Sequence, residues 1–319
     1  MKVKTITNLF LLLILLCTYN ANAASIIDNL VALKDNIISM VQDSNTKLNV
    51  SYEGSAFGKL DIYYDKNFDS DNLKPVVIFV HGGAWLFGDK YEYSKIGTYL
   101  REEGYVAVIP NYILFPKGKI DDMVNDVYQS IFWTYKNIHL YGGNKNKIIL
   151  SGHSAGAHLS VLTIIKSYLQ LENLDKFLIP LPRLEKLVLF NGPYDFDDYD
   201  VVTNLITKEN ADHGVAERVV SKLLASDDIG PTDILKLYKD SSIPDFGVPK
   251  ITFFYTDEDQ LVPESSANNL IKQIRRVTTN TEINYIYNQG NGFDHSTLIY
   301  GARTDDEALK KMFLDIITL

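Results

Sequence analysis

Lys147-Ile148-Ile149-Leu150-Ser151-Gly152-His153-Ser154-Ala155-Gly156-Ala157-His158 packs a strand, a glycine-flanked serine and the start of a helix into one short run. Lys147 to Leu150 reads as a short strand ending at Ser151-Gly152, and Ala157 to Leu169 reads as a helix. Between them, Gly152 to Gly156 fits G-x-S-x-G. In a tight strand-turn-helix such a serine takes a strained backbone, and the glycines leave room for it. The hydroxyl then stands at the C-terminal edge of a sheet, at the mouth of a crevice. Ser154 is therefore the candidate nucleophile.

Working outward, Pro75 to Val80 is an apolar run that reads as a buried strand, and it leads directly into His81-Gly82-Gly83-Ala84-Trp85. Acyl transfer builds negative charge on a carbonyl oxygen, and backbone N–H groups aimed at that oxygen stabilise it. Gly83 and Ala84 are expected to donate from this loop and Ala155 from the elbow, with Gly82 shaping the turn. His81 is expected to fasten the loop by hydrogen bonding.

A serine nucleophile needs a base that titrates near neutrality, which points to histidine. The chain has six histidines. His153 and His158 flank the elbow and read as pocket-lining or structural. His139 sits near a helix end, and His213 lies in a polar, Asp-rich stretch. His295, in Gly292-Phe293-Asp294-His295-Ser296, follows the last strand. The chain order Ser…Asp/Glu…His places the base there. The orienting carboxylate should follow the strand Ile251 to Tyr255, where Asp257, Glu258 and Asp259 crowd together. Asp259, four before Pro263, is favoured over Asp257, with Glu258 third.

Other apolar runs complete a fold class. Lys47 to Tyr52, Lys59 to Tyr64, Tyr105 to Pro110, Leu187 to Phe190 and Ile283 to Tyr287 read as strands. Ile26 to Val41, Ile120 to Leu140, Ser265 to Val277 and Glu307 to Ile317 read as helices. Apolar strands alternating with amphipathic helices predict an α/β domain with a mostly parallel central sheet and helices on both faces. One domain over residues 24–319 is expected, with a lid insertion over about 193–249, because that stretch is too long for a plain connection.

Residues 1–23 read as a secretory signal peptide: Lys2 and Lys4, then the apolar run Leu9 to Cys17, then Ala21-Asn22-Ala23. The apolar run spans about 14 Å as a helix, short of the roughly 30 Å hydrocarbon core, so no stable membrane span is expected after cleavage. The single cysteine, Cys17, lies in this segment, which leaves no thiolate chemistry and no disulfide. A secreted or lumenal product follows. Asn49-Val50-Ser51 is the one N-x-S/T sequon. The net charge of −9, without a basic block, argues against nucleic-acid binding. No metal-ligand spacing, P-loop or dinucleotide fingerprint appears, so no metal and no cofactor is expected.

These motifs resemble the α/β-hydrolase serine esterases over nearly all of the chain after the leader. The pairing of His81 to Trp85 with Gly152 to His158 is similar to isoprenylcysteine methylesterase-like carboxylesterases and, less closely, to kynurenine formamidase. Asn111-Tyr112-Ile113-Leu114-Phe115-Pro116-Lys117-Gly118 leans toward the methylesterases, as do Asp122 to Asp126 and Tyr141-Gly142-Gly143. Asn111 and Ile113 stand where that group has Asp and Arg, and Ala84 where formamidases commonly carry a bulkier aromatic residue. The resemblance implies the α/β-hydrolase fold, with Ser154 as nucleophile, Asp259 as acid and His295 as base. A small-molecule ester is the implied substrate. Hydrolysis of an aryl formamide by the same groups is the second reading, and a catalytically silent binding module is the third.

Overall fold

In the computed structural model, residues 31, 33–38, 43–55, 57–196 and 228–319 are described. The expected signal peptide, most of the helix read over Ile26 to Val41, and the centre of the expected lid, residues 197–227, lie outside them.

Eight strands form one sheet: β1 (Thr46–Ser51), β2 (Lys59–Tyr63), β3 (Lys74–Val80), β4 (Val106–Pro110), β5 (Gly143–His153), β8 (Lys186–Phe190), β9 (Lys250–Thr256) and β10 (Glu282–Asn288). Their order is β1-β2-β4-β3-β5-β8-β9-β10. Only β2 runs against its neighbours, pairing antiparallel with β1 and β4. All pairs from β4 through β10 are parallel. A small hairpin, β6 (Glu172–Asn173) with β7 (Lys176–Phe177), stands apart.

Strands β3, β4, β8 and β9 are almost wholly buried, because both of their faces are covered. Along β3, Val76, Ile78 and Val80 point into one core, and Val77 and Phe79 into the other. Helices α2 (Ile120–Asn137), α3 (Ala155–Tyr168), α4 (Pro231–Lys236) and α5 (Glu264–Val277) cover the first face. Helices α1 (Ser94–Glu102), α6 (Thr297–Thr304) and α7 (Glu307–Thr318) cover the second. The mostly parallel sheet with helices on both faces is the architecture the sequence predicts.

The structure revises some boundaries. β5 does not stop at Leu150. It continues through His153, because Ser151 pairs with Phe79 and Val188, and Gly152 with Val80 and Leu189. The serine therefore leaves the sheet from a strand held on both sides. The helix read to Leu140 ends at Asn137 and tightens into a 3-10 turn over Ile138–Tyr141. Helices α1 and α6 have no counterpart in the sequence reading.

The ends of the expected lid pack onto the body. Tyr194 is fully buried, and its backbone N–H donates to the Ser266 hydroxyl of α5 at 2.7 Å. Ile234 and Leu235 of α4 are buried, and Ile243 bridges to Thr278.

Candidate active site

Ser154 occupies the sharp turn between β5 and α3 with φ 52° and ψ −122°. That backbone region is costly for any residue with a side chain. It is over-determined here: the Ser154 N–H donates to Phe190 O at 2.9 Å, and Ser154 O accepts from His158 N–H at 3.1 Å. Gly156 has no room for a side chain. A Cβ there would run into the carbonyl oxygens of Val80 and His81. The first turn of α3 thus lies directly against the end of β3, and the nucleophile comes close to the Gly-Gly loop.

That loop turns back on itself through three consecutive positive φ values: Gly83 at 121°, Ala84 at 49° and Trp85 at 62°. The Leu86 and Phe87 N–H groups both donate to Gly83 O, at 3.0 and 2.9 Å. Gly82 faces the elbow. A Cβ on it would meet His153 Nδ1 at 2.9 Å and the Ser154 Cβ at 3.2 Å. The left-handed conformation of Trp85 is held by burial, by a hydrogen bond from Phe115 N–H to its carbonyl at 3.0 Å, and by its ring. The Trp85 Nε1–H donates to His158 Nδ1 at 3.1 Å, and His158 Nε2 in turn bonds Ile229 O at 2.8 Å. Phe196 packs edge-on to His158.

His81 is fully buried. Its Nδ1 bonds Gly82 O at 2.8 Å, and its ring stacks on Tyr112, whose hydroxyl donates to His81 O at 3.0 Å. The histidine at the start of this loop therefore ties it down, as the sequence suggests.

The three residues expected to carry the chemistry come together. His295 Nε2 lies 2.8 Å from Ser154 Oγ, and His295 Nδ1 lies 2.7 Å from Asp259 Oδ2. Asp259 also accepts the N–H groups of Leu261 and Val262 on Oδ1, each at 2.9 Å. Burial alone would push this carboxyl up, but the hydrogen bond and charge of His295 and the surrounding donors leave it below its usual value. Asp257 goes elsewhere: its side chain caps the Gly290 N–H at 2.8 Å. Asp294 binds its own loop, accepting from Ser296 N–H and Thr297 N–H.

The other histidines near the site are tuned away from proton transfer. Burial, helped by the neighbouring His295, brings His153 down to about 3, and burial brings His158 down to about 4. Both are neutral near pH 7. His153 is nonetheless placed to matter, because its Nε2 bonds the His295 carbonyl at 2.9 Å and its ring lies 5.1 Å from that of His295.

Two departures from the resembled families have local substitutes. Asn111 accepts from Lys90 N–H at 2.7 Å and donates to Asp89 at 2.9 Å. The Ile113 N–H donates to Asp126 Oδ2 at 2.8 Å. The loop is held by neutral and charge-assisted hydrogen bonds instead of an ion pair. Sequence reasoning missed one neighbour of the site altogether. Asn191, at the end of β8, donates from Nδ2 to Asp259 Oδ2 at 2.8 Å.

Among the described residues, no cluster of three or more His, Cys, Asp or Glu side chains has the spacing of a metal site. No helix among them is long and apolar enough to cross a membrane.

The chain is similar to a probable isoprenylcysteine alpha-carbonyl methylesterase of Arabidopsis thaliana, 43% identical over 117 residues, 37% of this chain and 27% of that protein. It is similar to kynurenine formamidase of Salmo salar, 32% identical over 152 residues, 48% of this chain and 47% of that protein. It is also similar to esterase LipC of Mycobacterium tuberculosis, 25% identical over 260 residues, 78% of this chain and 59% of that protein. The chain thus spans 27% of the length of that methylesterase and 47% of that of the formamidase.

In three dimensions it is similar to esterase B of Lactobacillus rhamnosis, with a TM-score of 0.62 at 17% identity, covering 93% of this chain and 96% of that one. It is also similar to the butyrate-bound esterase of Thermogutta terrifontis, with a TM-score of 0.61 at 19% identity, covering 86% of this chain and 95% of that one. At these identities the likeness speaks for the α/β-hydrolase fold. The BD-FAE family model matches residues 60–274, the span from β2 through most of α5, and the chain belongs to that family of α/β-hydrolases.

Proposed function

We propose that the protein is a serine carboxylesterase working through an acyl-enzyme. The observation that carries this reading is the continuous chain from Ser154 Oγ to His295 to Asp259, at 2.8 and 2.7 Å, built on a strained elbow. His295 Nε2 takes the proton as Ser154 Oγ attacks the ester carbonyl, and Asp259 steadies the imidazolium that forms. The N–H groups of Gly83, Ala84 and Ala155 receive the developing oxyanion, in the turn shaped by Gly82. His295 then protonates the departing alcohol. Water, deprotonated by the same imidazole, attacks the acyl-enzyme, and the acid leaves with Ser154 restored.

The likeness to esterases and methylesterases supports an ester as substrate. The likeness to kynurenine formamidase supports an aryl formamide as the second substrate class for the same residues. We further propose that residues 1–23 are a signal peptide and that the mature protein enters the secretory route.

The test is hydrolysis of a chromogenic ester series, acetyl to long acyl, beside an aryl formamide. Wild type and Ser154→Ala are compared. Ester turnover that disappears in the variant supports the reading, and the optimum chain length sizes the acyl pocket. A formamide preferred over every ester moves the assignment to amide hydrolysis. A folded protein inactive on all of them makes it a binding module.

A further inference from the structure

Asp259 is saturated with hydrogen bonds. Oδ1 takes the Leu261 and Val262 N–H groups, and Oδ2 is shared between His295 Nδ1 and the side-chain amide of Asn191 at 2.8 Å. A carboxylate can only accept, so the amide must present its NH₂ to Asp259. Asn191 is 3% exposed and the Asp259 side chain 1%, so both partners of that contact are shielded from solvent.

Its backbone is unusual as well. Asn191 has φ 47°, and its N–H donates to Phe254 O at 2.9 Å, pinning the end of β8 to β9. Asparagine tolerates this left-handed conformation better than most residues. The same NH₂ also reaches Thr256 Oγ1 at 3.2 Å, and the Thr256 hydroxyl reaches Asp294 O at 3.3 Å. One amide therefore joins the segments after β8 and β9 and, through Thr256, the loop that carries His295.

We propose that Asn191 is a positioning residue that shares Asp259 Oδ2 with His295 and so limits how much of the carboxylate charge reaches the imidazole. It deepens the serine-esterase reading and rests on it for its consequence in turnover. Its effect on the imidazole is independent of turnover. Asn191 shares an oxygen with His295 Nδ1–H, so it draws electron density away from that bond. Without the amide, that oxygen serves His295 alone, the imidazolium is better stabilised, and the ring holds its proton to higher pH.

Other charged and titratable groups around His295 stay in place in this comparison. Asp294 on its own loop and His153 at the end of β5 act on His295 itself, while Tyr255 on β9 acts on Asp259 and Arg303 on α6 acts on His153.

The experiment is an NMR titration of the histidine side chains in wild type and Asn191→Gly. His295 is assigned by comparison with His295→Ala. Glycine keeps the left-handed backbone and removes the buried side chain together with its amide. The His295 midpoint should rise. The acid limb of kcat/KM should move up with it. Asn191→Ser, whose hydroxyl sits on a shorter arm, takes the place of the glycine variant if thermal unfolding shows that variant to be misfolded, and it should move the midpoint in the same direction. An unchanged or lowered His295 midpoint in the folded variant overturns the proposal, whatever happens to kcat. Failure of the serine-esterase reading shows separately, as ester turnover that survives Ser154→Ala.

Discussion

The indole N–H of Trp85 donates to Nδ1 of His158 at 3.1 Å, joining the Gly-Gly loop to the helix that begins at the nucleophile. Both side chains are fully buried, and His158 passes the connection on to Ile229 O. The loop and the elbow are thus fastened side by side by an acceptor that water cannot replace.

Replacing Trp85 with Phe keeps most of the aromatic volume and removes the donor. His158 Nδ1 then becomes a buried, unpaired acceptor, which costs about 1–3 kcal/mol. Chemical denaturation of Trp85→Phe should show an unfolding free energy lowered by that amount. Ester turnover should fall as well, because the loop loses one of its ties to α3. A variant as stable as wild type would mean that the bond contributes nothing net.

Gly156→Ala pushes a methyl group into two backbone carbonyls, those of Val80 and His81, and backbone cannot rotate away as a flexible side chain can. Overpacking of this kind costs about 1–3 kcal/mol. The expected readout is a lower melting temperature together with a loss of kcat/KM of more than about tenfold, because relief of the clash must move the loop relative to Ser154. Full activity would show that this close approach is not needed for turnover.

Two neighbouring aspartates should respond very differently. Asp259→Asn removes the charge opposite His295 and lets the imidazole take the wrong tautomer, so kcat should fall by about 10⁴. Asp257→Asn touches only the Gly290 N–H. It should keep most of the activity and change stability by no more than about 0.5 kcal/mol. Equal losses in the two variants would contradict the assignment of Asp259.

Stability should also depend on pH through the buried histidines. His158 is held near 4 in the folded protein, against about 6.5 when unfolded. Between those values the unfolded chain binds the proton that the folded chain refuses, so this group's contribution falls as pH drops below about 6.5. His153, near 3, acts in the same direction. Asp126 acts in the opposite direction: burial raises it to about 6, so it favours the folded state as pH falls through that value. Comparing His158→Gln with wild type isolates one term. Between pH 6 and 5 the stability of wild type should fall faster than that of the variant by about 1 kcal/mol per pH unit. Parallel slopes would show that His158 carries its proton in the folded state.

Much of this was legible in the sequence, for identifiable reasons. The strands β3, β4, β8 and β9 are buried on both faces, so their apolar runs stand out without needing a period. The elbow and the Gly-Gly loop are local motifs, and Asp259 could be chosen from its spacing to Pro263. Helix α1 could not be seen, because its buried face includes Ser94 and Gly97 as well as Ile96 and Leu100. Gly97 sits where a Cβ would strike the Tyr63 ring, a demand of packing that helical periodicity does not reveal. Asn191 was invisible for a different reason. Its role depends on the parallel register of β8 and β9, which brings the ends of two strands more than sixty residues apart in sequence together at one carboxylate.

The measurement that bears most directly on the central claim is a trapped acyl-enzyme. Protein mixed with excess p-nitrophenyl acetate is quenched in acid during turnover, digested and mapped by mass spectrometry. The account predicts one acetyl group on the peptide carrying Ser154 in wild type, and none in Ser154→Ala, which should also fail to turn over. Turnover by the Ser154→Ala variant, or an acetyl group carried through turnover on a different residue, would contradict it.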